Sequence, residues 1–434
     1  MGFVLIVGGC VGEPAVIDTA ASPTLIDSAV DSEADDVGGD TSDTGAPPDD
    51  TGDSAADEAA YAALYDVAAV TQVGIEMTAA DESAMTAELD AALLSGTLDP
   101  DLSYFPATVT VNGEVLPNVG VRLQGGGSPV GWGEKPSLKV KFGAFDEPIR
   151  YAGLKRLVLD NMGDDPAMCR DVVGFHAWRS AGMPAPQANF AQVYLSIEGA
   201  AAVYVGLYAN LEDVDSRWLE RNYADDAGDL WEAGDSADFT ERGLAHFSLV
   251  SGEGDTRALD EARSELQNHG DDFYAAADSV LDMDAFLRFW TYSVALGNRD
   301  GYPFHLNDFF AYLNPDDDRF HFTPATMEES FDSGTPLFAR YVVGAIGQSC
   351  LYYDEACADR YLAALSSAIT DVEGGDLGAF ASTVQSLSAT AMQDDARKVL
   401  DGESVTTSEV EMARARLNNR IAVYPELLRA GLGI

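Results

Sequence analysis

The sequence has little positive charge, little lysine and no long hydrophobic run. No lysine, arginine or histidine precedes Arg122, and the 434 residues include 25 basic against 73 acidic side chains. A formal net charge of −48 repels phosphate backbones and anionic lipids, which excludes nucleic-acid binding and charge-driven membrane attachment as expected functions. No apolar run approaches the roughly 18 residues of a membrane span. What remains is a soluble, very acidic protein suited to a basic partner, with 46% hydrophobic residues for a large core.

Lysine is scarce but clustered, since three of the chain's five lysines lie in the segment KPSLKVK. The five are Lys135, Lys139, Lys141, Lys155 and Lys398. In the strand SLKVKF, alternation places Lys139 and Lys141 on one face and the apolar side chains on the other. A glycine-rich turn, GGGSP, comes just before this segment. The combination predicts a site for an anion such as phosphate, or simply lysines that pair with neighbouring carboxylates.

The N-terminal residues predict a lipidation signal followed by a disordered tether. The apolar FVLIV runs through VGGC to Cys10, which resembles the lipidation site of bacterial lipoproteins, although the stretch is shorter than a complete signal and has no positive region. Residues 11–60 are rich in Asp, Thr, Ser, Gly and Pro, so they are expected to form a disordered acidic tether. We expect a lipid-anchored, extracytoplasmic protein of the bacterial cell envelope, attached to the membrane only through Cys10. The alternative is an ordinary apolar start followed by an unmodified cysteine.

Several local elements are predicted from pattern. Asn112-Gly113 between two alternating segments indicates a β-hairpin. Asp165 is expected to cap a helix that ends near Gly182, and residues 281–296 and the C-terminal stretch from Val410 predict two core helices. Residues 234–283 are expected to be polar and helical. Cys350 and Cys357 either close a local disulfide or remain two buried thiols.

Several linked motifs together are similar to the CotH kinase family, the spore-coat-protein-H-like proteins. They are GVRLQGGGSP, KPSLKVKF, RDVVGFHAWRSAGMPAP, VYLSIEG followed by GLYANLEDVDSRWLERNY, GDLWEA and FFAYLNPDDDRFHFTP. The resemblance implies an α+β, atypical protein-kinase-like fold with a small β-rich lobe and a larger, mainly helical lobe. We assign residues 61–214 to the small lobe and 215–434 to the large lobe. The family implies ATP and Mg²⁺ or Mn²⁺ as cofactors and a protein as substrate or partner.

The resemblance assigns roles residue by residue. GNRDGYPFHLNDFF matches the family's catalytic stretch, with Asp300 in the place of the catalytic aspartate and Asn307 in that of a metal-ligating asparagine. Glu212 lies where the family passes from one lobe to the other. The resemblance also assigns cofactor binding to the glycine-rich turn and the lysine strand, namely Gly125, Gly126, Gly127, Ser128, Lys139 and Lys141. It does not decide which lysine contacts the phosphates.

One motif departs from the family. Where the family has PWDxD, this chain has PATMEESFD, so that Thr326 replaces the first aspartate and Glu328 the second. Glu328 is the remaining candidate metal ligand, but its extra methylene group moves the oxygen, and Mg²⁺ demands near-ideal geometry. The sequence therefore leaves two functions open. One is an active kinase that phosphorylates Ser or Thr of an envelope or secreted protein; the other is a catalytically degenerate, surface-tethered binding or structural module.

Overall fold

The computed structural model describes most of the chain from Ala55 onward. The described ranges are 55–96, 102–124, 130–145, 149–268, 270, 272–331, 342–400 and 402–432. The predicted lipidation residue and the predicted glycine-rich loop lie outside them, namely Cys10, Gly125, Gly126, Gly127 and Ser128.

Seven strands close into a barrel in the first part of the described chain. They are β1 (Val70–Met77), β2 (Phe105–Val111), β3 (Glu114–Leu123), β4 (Leu138–Lys141), β5 (Arg156–Asp160), β6 (Ala188–Ile197) and β7 (Val203–Leu211). Their order around the barrel is β1-β2-β3-β4-β5-β7-β6. The parallel pairing of β6 with β1 closes the barrel, and the other neighbours are antiparallel. Two helices precede and follow β1, α1 (Ala55–Leu64) and α2 (Ala79–Ser95).

The barrel confirms the predicted hairpin and the two faces of the lysine strand. Asn112 and Gly113 join β2 to β3 with φ values of 49° and 90°, as a two-residue turn with positive φ at both positions requires. In β4, Leu138 and Val140 are fully buried in the barrel interior. Lys139 therefore lies on the outer face, which carries the site described below.

The predicted helix after β5 is present but starts later than expected. It is α3 (Arg170–Ser180), preceded by Cys169 rather than by Asp165. Asp165 nevertheless accepts hydrogen bonds from the backbone N–H groups of Cys169 and Arg170, because its buried carboxylate reaches the helix start across a turn. The residues between Asp165 and α3 form this turn, which the residue preferences of the sequence did not indicate.

The remaining chain packs helices around a four-stranded antiparallel sheet of order β11-β10-β8-β9. The strands are β8 (Leu230–Ala233), β9 (Phe247–Ser251), β10 (Phe309–Asn314) and β11 (Arg319–Pro324), with a small hairpin of β12 (Val399–Leu400) and β13 (Glu403–Ser404). The helices are α4 (Ser216–Asn222), α5 (Thr256–Gln267), α6 (Phe273–Asp278), α7 (Met283–Leu296), α8 (Tyr302–His305), α9 (Ala345–Tyr353), α10 (Glu355–Gly374), α11 (Leu377–Asp394) and α12 (Thr407–Leu432), and a 3-10 helix spans Gly243–His246. The predicted core helices correspond to α7 and α12 and are confirmed.

One local prediction was incomplete, and one open question is decided. Residues 234–283 were expected to be polar and helical; they contain α5 and α6, but they also contain β9, whose sequence FSLVS pairs with β8. Cys350 and Cys357 form a disulfide that ties the end of α9 to the start of α10. Cys169 is a buried free thiol.

The core has two main parts. One set of buried side chains fills the barrel, and a larger set runs from the outer barrel face and α3 through α7 to α12. The fold is α+β, with a β-rich part and a larger, mainly helical part, as predicted. The barrel ends at Leu211, while the boundary after residue 214 stays a prediction. None of the helices in the described part of the chain combines the length and hydropathy needed to cross a membrane.

Candidate functional site

Asp300 lies in the loop between α7 and α8, where the side chains of His305, Asn307 and Asp308 contact its carboxylate. His305 Nδ1 is 2.8 Å from Asp300 Oδ1, and the Asn307 amide donates to Oδ2 at 3.3 Å. Leu306 and Asp308 adopt left-handed backbone conformations, which turn the chain so that Asn307 faces back toward Asp300. The structure therefore brings together the two residues that the catalytic motif predicted.

The protonation of Asp300 is set by these partners. Burial raises the pKa of Asp300, but hydrogen bonds from His305 and Asn307 and the charge of His305 outweigh it, so the net pKa is lowered. The hydrogen bond to Asp300 in turn raises the pKa of His305. Burial, followed by the neighbouring charge of Asp300, raises the pKa of Asp308 well above its ordinary value. A hydrogen bond joins the two carboxyl groups, and their pKa values are shifted in opposite directions, down for Asp300 and up for Asp308.

Asp308 also forms a hydrogen bond with Thr326 of the altered PATMEESFD motif. The Thr326 hydroxyl donates to Asp308 Oδ2 at 2.7 Å. Thr326, which stands where the family has an aspartate, is thus a hydrogen-bond donor to a carboxyl group on the adjacent loop. The sequence analysis did not select Asp308, although its position directly after Asn307 was a usable signal.

Three further carboxylates meet between the barrel and the helical part, and we call them the acidic triad: Asp160, Asp171 and Glu328. One oxygen from each lies within 4.8 Å of the others. Asp160 ends β5, Asp171 lies in the first turn of α3, and Glu328 follows β11 in the PATMEESFD segment. Only Glu328 was predicted from the sequence, because the three residues lie far apart in a chain rich in acidic side chains.

Close packing holds α3 against the segment that carries Glu328. Gly174 permits this approach, since a Cβ atom there would lie 2.6 Å from the Cβ of Met327. The Met327 N–H donates to Asp171 Oδ1 at 2.6 Å, and Arg170 donates to the carbonyl of Glu328 at 3.0 Å. Asp171 and Glu328 are therefore positioned by the same contact.

Burial is the main electrostatic influence on the acidic triad. It raises the pKa of Asp160, and it raises the pKa values of Asp171 and Glu328 well above their ordinary range. For Glu328 the next causes are all neighbouring aspartates, Asp160 among them. The site thus concentrates carboxylates that repel one another unless protons or a cation compensate.

The two predicted phosphate-binding lysines have protein partners. Lys139 lies 3.7 Å from Asp213, and the Lys141 amine lies 5.6 Å from the centre of the Tyr104 ring. Lys135, which was not selected, is fully buried 3.0 Å from Asp395, and its charge acts on Asp160 of the acidic triad. Its place at the start of the lysine cluster was the signal that could have identified it.

Glu212 lies at the end of β7, within a separate set of contacts. Its carboxyl group accepts hydrogen bonds from the Tyr61 hydroxyl at 2.7 Å and the Gln187 N–H at 2.9 Å. Burial raises the pKa of Glu212 to about 7. Because Tyr61 belongs to α1, this contact docks the N-terminal helix onto the junction between the barrel and α4. Among the described residues, the contacts of Glu212 are with Tyr61, Gln187 and Arg221 and do not reach the acidic triad or Asp300.

A family model described as "CotH kinase protein" matches residues 121–362, more than half of the chain. No curated protein matches the chain. Among solved structures, one similar chain belongs to a complex of the Shewanella oneidensis MR-1 toxin–antitoxin proteins HipA and HipB with operator DNA; it is 11% identical, with 64% of this chain and 60% of that chain covered and a TM-score of 0.26. A likeness of that size carries no argument.

The family match covers the lysine strand, α3, Asp300 with its partners, and the altered PATMEESFD segment. It confirms the predicted family and, with the mixed barrel and helical architecture, the kinase-like fold. It also suggests the use of a nucleotide and a divalent metal. The chain is a member of the CotH kinase family.

Proposed function

We propose that this protein transfers the γ-phosphoryl group of ATP to a Ser or Thr hydroxyl of an envelope or secreted protein. The observation that carries the proposal is the geometry at Asp300, a buried carboxylate held by His305 at 2.8 Å and by Asn307 at 3.3 Å. Phosphoryl transfer requires a group that orients the acceptor hydroxyl and accepts its proton. Asp300 has the charge and the fixed orientation for that role.

The other residues have supporting roles. Asn307 and Glu328 supply oxygen ligands for Mg²⁺ or Mn²⁺, which when bound would neutralise charge on the phosphate oxygens. His305 holds Asp300 in position through its Nδ1 contact. Lys139 or Lys141 would have to exchange its present partner, Asp213 or Tyr104, to reach a phosphate group. Glu212 and the glycine-rich residues 125–128 complete the proposed nucleotide site, and Cys10 is the proposed lipid anchor.

A second candidate function rests on Thr326. Because its hydroxyl donates to Asp308, the first position of the altered motif offers no carboxylate to a metal. This favours a member of the family that has lost phosphate transfer and serves at the cell surface as a binding or structural module. The two functions predict the same fold and differ only in transfer.

The test is transfer of radiolabelled phosphate from ATP to a basic acceptor protein, with Mg²⁺ or Mn²⁺, by the full chain. We expect the wild type and the Glu373→Gln control to transfer phosphate, because Glu373 is an exposed partner of Arg429. We expect Asp300→Asn to lose at least about a hundredfold in rate while its thermal stability stays close to that of the wild type. Absence of transfer by the wild type with either metal would favour the binding module. Transfer retained by Asp300→Asn would overturn the assignment of Asp300.

A further inference from the structure

We propose that Asp160, Asp171 and Glu328 together bind one divalent cation, so that two carboxylates outside the PATMEESFD segment replace the aspartate missing at Thr326. The role of this cation in phosphate transfer rests on the proposed function. Its own test needs neither nucleotide nor phosphate transfer.

The geometry suits a small oxygen-ligated cation. The three carboxylate oxygens lie within 4.8 Å of one another, and the oxygen ligands of one Mg²⁺ at about 2.0–2.1 Å are separated by up to about 4.2 Å. The ligands come from β5, α3 and the segment after β11. A cation at this position would therefore link the barrel to the helical part of the protein.

Glu328 supplies an independent observation. It is 6% exposed, and within the described ranges the main influences on its carboxyl group are burial and neighbouring aspartates, with no hydrogen-bond donor or basic side chain among them. Asp160 differs, since it accepts from the Ser137 hydroxyl at 3.1 Å and the Met162 N–H at 2.6 Å. Asp171 accepts from Met327 N–H. A buried carboxylate without a partner is costly, and Glu328 points toward the two aspartates where a cation would compensate its charge.

The protein's own cations compensate only part of this charge. The charge of Lys135 favours the ionised form of Asp160, but its amine is paired with Asp395. Arg170 acts on Asp171 while its guanidinium group contacts Asp165 and the carbonyl of Glu328. Neither basic side chain lies among the main influences on Glu328, which are burial and neighbouring aspartates.

The altered motif explains why these particular carboxylates are used. Thr326 is engaged with Asp308 and supplies no charge, whereas the next residue, Met327, binds Asp171 through its backbone N–H. The contact that locks α3 to this segment therefore places a carboxylate beside Glu328. Asp171 of α3 thus takes the place of the aspartate that is missing at Thr326.

The experiment is a titration of the full chain with Mn²⁺, without nucleotide, followed by electron paramagnetic resonance in buffer of high ionic strength. High salt weakens binding to the acidic surface and leaves a tight site resolved. We expect one tight site in the wild type and at least a tenfold loss of affinity in Asp160→Asn and in Asp171→Asn. The matched control is Asp317→Asn, from the other metal-like group, Asp282, Asp317 and His321, where Arg319 already pairs with the carboxylates; it should retain the wild-type affinity.

Thermal unfolding gives a second measurement on the same variants. In EDTA, Asp160→Asn and Asp171→Asn should be at least as stable as the wild type, because each removes a repelled charge. Mn²⁺ should raise the melting temperature of the wild type and of Asp317→Asn more than that of either triad variant. Absence of a tight site in the wild type, or wild-type affinity in both variants, would overturn the inference. A tight triad site in a protein that transfers no phosphate would overturn only the proposed function.

Discussion

The buried ion pair between Lys135 and Asp395 gives the sharpest prediction about stability. The two charged atoms are 3.0 Å apart, and both side chains are fully buried. Asp395 also accepts the N–H of Leu207 at 3.1 Å, and a Cβ atom on Gly206 would lie 2.7 Å from its carboxylate. The pair thus joins the lysine segment and β7 of the barrel to the loop after α11.

The magnitude follows from burial. Removing one partner leaves the other charge uncompensated in the interior, which costs about 3–5 kcal/mol. We therefore expect Lys135→Met and Asp395→Asn each to lower the free energy of unfolding by that amount. The double variant should cost about 2 kcal/mol less than the sum of the single changes, because it leaves no unpaired charge.

The assay is urea unfolding followed by circular dichroism, with intrinsic fluorescence as a check that both probes report one transition. Arg429→Met provides the control, since its pair with Glu373 lies at the surface, where solvent screens it, and its loss should change the stability far less than loss of the buried pair. Additive single and double changes, or single changes below about 1 kcal/mol, would refute the view that this pair joins the two parts of the fold.

Three shorter predictions concern other elements. Replacing Cys350 and Cys357 by alanine should lower the free energy of unfolding by about 2 kcal/mol, measured by urea unfolding without reductant, because the disulfide closes a short loop. Burial raises the pKa of Glu212 to about 7, so its contribution to stability is full below its ordinary pKa and is lost as the pH rises through 7; Glu212→Gln should therefore gain in melting temperature relative to the wild type between pH 5 and pH 8. Gly174→Ala should cost about 1–3 kcal/mol and weaken Mn²⁺ binding, because its methyl group would meet Met327.

Much of the local structure could be predicted because it depends on neighbours in sequence. The Asn112-Gly113 turn follows from the positive φ that both positions adopt, and α7 and α12 follow from apolar side chains at helical spacing. The Asp300 and Asn307 pair was identified through the family resemblance, and the short chain segment between the two residues lets them meet. The strand β9 was missed because its partner β8, rather than its own pattern, makes it a strand.

The sequence by itself determined the family, the acidic surface, the hairpin, the core helices and the identity of the catalytic-type loop. Only the tertiary structure decided which carboxylates meet, because Asp160, Asp171 and Glu328 come from three elements separated in sequence and carry no shared motif. It likewise decided that Lys135 is the buried lysine paired with Asp395, while Lys139 pairs with Asp213. Charge is visible in a sequence, but its effect depends on burial and distance, and the folded chain sets both.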